Sequence, residues 1–106
     1  MATNVSSTIS TQNTWSTSIY MIGWYNISVQ SQSNYSLNAG LNGSTVSLQR
    51  SFDNGTKWRD IKQYTTAAEE YGFEPEGALY RIGIKTGQYG TAAVDVRIGI
   101  EPGMTK

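Results

Sequence analysis

A chain of 106 residues has room for one domain, and it can bury about two-thirds of the surface its unfolded form exposes without a disulfide or metal staple. It contains no cysteine and no histidine, which removes disulfides, thiol nucleophiles, zinc sites of the Cys/His kind and every His-based acid–base pair, so neither an enzyme nor a cofactor is expected. Eight basic against eight acidic side chains leave no net charge to attract nucleic acid or an anionic membrane surface.

No apolar run approaches the ~18 residues of a membrane span, and the first residues lack both a basic flank and an apolar signal core, so synthesis and retention in a cytoplasm are expected. Charge is unevenly placed: the first charged side chain is Arg50, and 27 of the first fifty residues are Ser, Thr, Asn or Gln. Such a surface hydrogen-bonds without the desolvation cost of charge and suits close protein contact; compositional bias gives the same pattern.

In chain order, residues 1–14 offer only Val5 and Ile9 for burial and read as an extended polar arm before a single domain over 15–106. From Ile19 to Val29 a strand is expected, with Ile19, Met21, Tyr25, Ile27 and Val29 on its core face. Tyr20, Ile22 and Trp24 fall on the opposite face, where a lone sandwich would leave them in water, and are therefore the candidate interface. Residues 30–44 are turn-rich, with room for a short strand at Tyr35–Ala39. Thr45–Phe52 alternates, with Val46, Leu48 and Phe52 inward and Arg50 interrupting the face, and pairs with Lys57–Tyr64 in a hairpin. The three-residue spacing of Trp58 and Ile61 predicts a bulge near Arg59 or Asp60.

Thr65–Tyr71 carries Ala-Ala-Glu-Glu, a possible helical turn, and Gly72–Gly77 reads as an ordered loop held by Phe73, Glu74 and Pro75. Leu79–Thr86 and Thr91–Ile100 alternate about a Gly-containing connection and predict a second hairpin, with Asp95 opposite Arg81 or Lys85. Short strands with almost no helical periodicity predict an all-β fold, an antiparallel β-sandwich or small jelly roll with the N-terminal arm outside it.

Ser51-Phe52-Asp53-Asn54-Gly55-Thr56-Lys57-Trp58 resembles the Asp-box of sialidase-type propellers, with Lys57 where Thr is usual. Its physics is a turn: the Asp53 carboxylate accepts backbone N–H groups across the loop, Gly55 takes positive φ and Trp58 packs beneath, which stabilises and does not catalyse. One box and four scattered arginines do not make a sialidase. Glu69, Glu70, Glu74 and Glu76 could suggest a glycosidase pair or a metal site, but four acids within eight residues read as a solvated acidic loop, and no metal is expected. Trp15, Trp24 and Tyr89 are candidates for a carbohydrate platform.

The segments SLQRSFDNGTKW at 47–58 and YGFEPEGALYRIGIKTGQYG at 71–90 together resemble a group of small tailed-bacteriophage proteins, over about residues 19–100. The resemblance implies a non-enzymatic virion structural protein: a head decoration or cement protein of β-sandwich type that sits on the capsid surface, contacts the major capsid protein and forms a homo-oligomer there. A tail or fibre component, with a carbohydrate-binding role in host recognition, is the alternative. Neither nucleic acid nor membrane is implied as a partner.

Overall fold

The computed structural model describes residues 4–100, which form seven strands and no helix. They are β1 (Asn4–Ile9), β2 (Thr14–Trp15), β3 (Ile19–Ser31), β4 (Val46–Ser51), β5 (Arg59–Tyr64), β6 (Ala68–Ile84) and β7 (Val94–Ile100). The fold is all-β, and every strand belongs to one antiparallel sheet ordered β1-β7-β3-β6-β4-β5, with β2 paired to the end of β6. Ile9 on one edge strand and Tyr64 on the other belong to the same core cluster, so the sheet curls over a shared interior. Ile19, Met21, Tyr25, Ile27 and Val29 of β3 meet Tyr80, Ile82 and Ile84 of β6 and Val94, Val96 and Ile98 of β7 there. Alternation along β3, β6 and β7 supplies that inward row.

The segment expected as an arm is extended but not free. β1 pairs with β7 from Asn4↔Gly99 to Ile9↔Val94, and Ile9 is fully buried. β2 continues along β6 with Thr14↔Ile84 and Trp15↔Gly83. A Cβ at Gly83 would lie 2.2 Å from the Thr14 carbonyl oxygen, so this close approach needs glycine.

The first hairpin forms, β4 against β5, and its bulge falls at Ile61, one residue beyond the expected place: Gln49 faces Asp60 and Leu48 faces Lys62. Phe52, expected inward, is exposed, because the strand ends at Ser51 and the alternation ends with it.

Three expectations are corrected between residues 65 and 100. Ala68–Tyr71 is strand, not a helical turn: Val29↔Ala68 through Asn26↔Tyr71 pair along β3. The helix preference of Ala and Glu, a few tenths of a kcal/mol per residue, yields to that tertiary pairing. Phe73, Glu74 and Pro75 lie inside β6 rather than in a loop. Met21 pairs with Ala78 and Gly23 with Glu74, so Ile22 alone faces Pro75, Glu76 and Gly77 across a wide bulge. Proline lacks the ladder N–H and Gly77 has φ of 92°, which is why the irregularity sits here.

The second hairpin does not exist as such. β7 lies beside β3, not β6, with Ile27↔Ile98 and Val29↔Val96, and Asp95 faces Gln30 and Thr8 instead of Arg81 or Lys85. Alternation fixes which face a strand buries but not which strand it joins, and residues 85–93 are long enough to carry the chain over β3. That connection is tied to the β3–β4 loop: the Gly90 N–H donates to Ser44 Oγ and the Thr91 N–H to the Asn42 carbonyl. Tyr35–Ala39 forms turns and no strand.

Candidate functional site

The outward row of β3 starts apolar. Tyr20, Ile22 and Trp24 are 57%, 58% and 40% exposed. Trp24 stands directly across from Phe73 of β6, itself half exposed, with ring centroids 5.1 Å apart and planes tilted by 60°. This is the favourable tilted arrangement of two aromatic quadrupoles. At the other end of the row, Tyr20 lies over Gly77, where a Cβ would come within 2.0 Å of the tyrosine oxygen. Tyr20 and exposed Phe52 line one shallow cleft with Asn54 and Leu79. The chain thus presents an apolar strip from Phe52 through Tyr20, Ile22 and Trp24 to Phe73.

A buried polar cluster underlies it. Glu74, beside Phe73, turns inward and is 1% exposed. Its Oε1 accepts from the Tyr80 hydroxyl at 2.6 Å and from Arg50 Nη1 at 3.0 Å, and its Oε2 from the Glu76 N–H at 3.1 Å. Burial works against the carboxylate, but the Tyr80 hydroxyl, the Glu76 N–H and the Arg50 guanidinium outweigh it and hold its carboxyl below the usual range. Burial and then the bond to Glu74 push the Tyr80 hydroxyl up. Arg50 also lies 4.6 Å over the Phe52 ring, tying the buried cluster to the outer strip.

Of the candidate acidic loop, therefore, Glu74 is a core group, although a Glu between Phe and Pro looks solvated in sequence. Glu70 accepts from Lys62 Nζ and the Tyr64 hydroxyl, both at 3.0 Å, and Glu69 from Ser28 Oγ at 3.3 Å. Among the described residues no group of three His, Cys, Asp or Glu side chains could hold a metal ion.

The β4–β5 turn gathers Ser51, Asp53, Gly55 and Trp58. Ser51 Oγ donates to Asp53 Oδ1 and accepts from the Gly55 N–H, and Asp53 Oδ1 accepts from the Lys57 N–H, each at 2.8 Å. The Lys57 N–H, then the Ser51 hydroxyl, lower the Asp53 carboxyl from its ordinary value. Gly55 has φ of 92°, and its Cβ position would contact the Trp58 ring at 3.7 Å. Trp58 and Trp15 hold the Arg81 guanidinium between them, 4.3 and 4.1 Å from the ring centroids. Trp15, Trp24 and Tyr89 accordingly have separate settings: Trp15 on Arg81, Trp24 on Phe73, and Tyr89 against the core.

Beyond Phe73, exposed Tyr71 stands across from Asn26, and the outer face over β1 and β7 is polar. Ser6, Thr8, Ser28, Gln30, Asp95 and Arg97 line an open groove over β1, β7 and β3. Asp95 accepts from Thr8 Oγ1, Gln32 Nε2 and the Tyr35 hydroxyl, and Arg97 donates to Asn26 Oδ1.

No protein-family model matches this chain, and searches of curated proteins and of solved structures return no match.

Proposed function

We propose that this chain is a non-enzymatic bacteriophage virion structural protein, a head decoration protein that docks on the capsid shell through Tyr20, Ile22, Trp24 and Phe73. The observation that carries the reading is the exposed aromatic strip itself. It amounts to a few hundred Å² of apolar surface, the scale at which an exposed patch marks a contact site, and Trp and Tyr are frequent interface anchors. The resemblance of residues 47–58 and 71–90 to small tailed-phage proteins supplies the kind of partner, the major capsid protein. Many copies attached to one shell make individually weak contacts sufficient to resist rupture.

The test is binding to expanded, undecorated shells, measured by co-sedimentation, with Trp24→Ser and Ile22→Asp made separately. Both variants should lose shell binding while the fold persists, with Trp24→Ser lowering the melting temperature only by the modest worth of its ring pair with Phe73. Early melting of both would make the strip a structural element and remove the docking role. Density for the chain on tails rather than shells in averaged particle maps would move the reading to a tail or fibre component.

A further inference from the structure

The two edges of the sheet are built differently. β5 is guarded: Arg59, Asp60 and Lys62 stand on it, Lys62 and Asp60 are ion-paired to Glu70 and Lys85, and the bulge at Ile61 breaks its ladder. Charges and bulges are the usual means by which edge strands resist pairing with other chains. β1 has none of these. Its six residues, Asn-Val-Ser-Ser-Thr-Ile, are uncharged, contain no proline, and pair with β7 in unbroken register. Among the described residues no strand lies on its other side, so alternate N–H and C=O groups along it point away from β7.

We infer that β1 is a dimerisation edge, pairing antiparallel with β1 of a second copy about a two-fold axis to continue the sheet across both chains. A second copy fits because an uncharged edge meets no repulsion from itself, whereas the guarded β5 edge opposes head-to-tail addition of β1 to β5 that would grow an open fibre. What remains is the closed, self-complementary pairing.

Side-chain parity sets the register. Val5, Ser7 and Ile9 face the interior and Asn4, Ser6 and Thr8 face outward, and a one-residue slip would exchange the faces. The axis must therefore pass through a residue pair rather than between residues. Placing it at Ser7 sets Val5 opposite the second copy's Ile9 and Ser6 opposite its Thr8. This register brings the two apolar side chains together and covers Val5, which is only partly buried in the single chain. Strand pairing alone buries less than the ~1,200 Å² of a stable interface, so the dimer forms and dissociates with concentration.

The prediction is read by analytical ultracentrifugation of the full chain across a concentration series, with two double variants. Ser6→Lys/Thr8→Lys places like charges opposite one another and should weaken dimerisation at least tenfold; Ser6→Glu/Thr8→Lys places opposite charges there, and also opposite Arg97 and Asp95 of β7, and should retain it. Since the chain has no cysteine, Ser7→Cys gives a second readout. Directly paired strand residues lie within disulfide reach, so oxidation should cross-link it much faster than Thr56→Cys on the distant β4–β5 turn. A wild type that stays monomeric, with Ser7→Cys cross-linking no faster than Thr56→Cys, overturns the inference. So does equal dimerisation by both double variants, or a dimer dissolved by Trp24→Ser, which would seat the second copy on the aromatic strip. Failure of shell binding with the β1 dimer intact would overturn the docking function alone.

Discussion

The two halves of β3 share one inward row and differ entirely in the outward one. Inward, Ile19, Met21, Tyr25, Ile27 and Val29 enter the core, with only Gly23 at the bulge between Met21 and Tyr25. Outward, Tyr20, Ile22 and Trp24 are followed by Asn26, Ser28 and Gln30: Phe73 packs on Trp24, Glu69 and Arg97 bond to Ser28 and Asn26, and exposed Tyr71 stands across from Asn26 at the boundary. Packing leaves the outward row free, so the same strand can be water-compatible at one end and adhesive at the other. The inward row decides whether the chain folds; the outward row decides what it touches.

The largest effect should come from beneath the adhesive end. Glu74→Ala removes the buried member of a hydrogen-bonded ion pair whose other member, Arg50, is half-buried, and leaves buried Tyr80 without its acceptor, a loss of about 3 kcal/mol or more by denaturant titration. Ile27→Ala, in the inward row beside the polar half, should cost about 2–5 kcal/mol through the cavity it opens. If Glu74→Ala were nearly neutral, the polar cluster would not be what holds the bulge under the strip.

Gly77→Ala is expected to cost over about 1 kcal/mol, because a Cβ there meets both an unfavourable backbone angle and the Tyr20 ring. Adding Tyr20→Ala should return part of the loss, leaving the backbone share; full persistence in the double variant would mean that contact with Tyr20 contributes nothing.

Acid should sharpen the contrast further. Opposing burial, hydrogen bonds and the Arg50 charge leave the Glu74 carboxyl lowered in the folded chain, and Lys62 and Lys85 act likewise on Glu70 and Asp60. A folded value below the unfolded one means the contribution is complete above the ordinary carboxylate range, about 4.3 for Glu, and is lost as pH falls through the lowered value. Melting temperature should therefore drop on acidification, and less steeply in Glu74→Gln. An unchanged slope in that variant would assign acid sensitivity to the other carboxylates.

The smallest effects on stability belong to the outward row. Ser28→Ala should alter it by about 0.5 kcal/mol or less, as surface substitutions usually do, and Trp24→Ser should cost about 1 kcal/mol, the worth of its ring pair with Phe73. Only Trp24→Ser should reduce shell binding, so equal binding losses from the two would erase the functional distinction between the halves of β3.

The sequence by itself determined the all-β class, the core face of β3, of β7 and of the Leu79–Ile84 end of β6, the β4–β5 hairpin and the placement of Tyr20, Ile22 and Trp24 opposite the core, because alternation and turn chemistry are local properties of the chain. Tertiary structure decided what depends on partners distant in sequence. β7 joined β3 instead of β6 since an alternating strand satisfies its core face beside either neighbour. The apparent arm became β1 because β7 offered it an open ladder and the core accepted Ile9. Glu74 became a core residue, and its segment a strand, because Arg50 and Tyr80, 24 and 6 residues away in sequence, converge on one carboxylate that Phe-Glu-Pro by itself would leave in water.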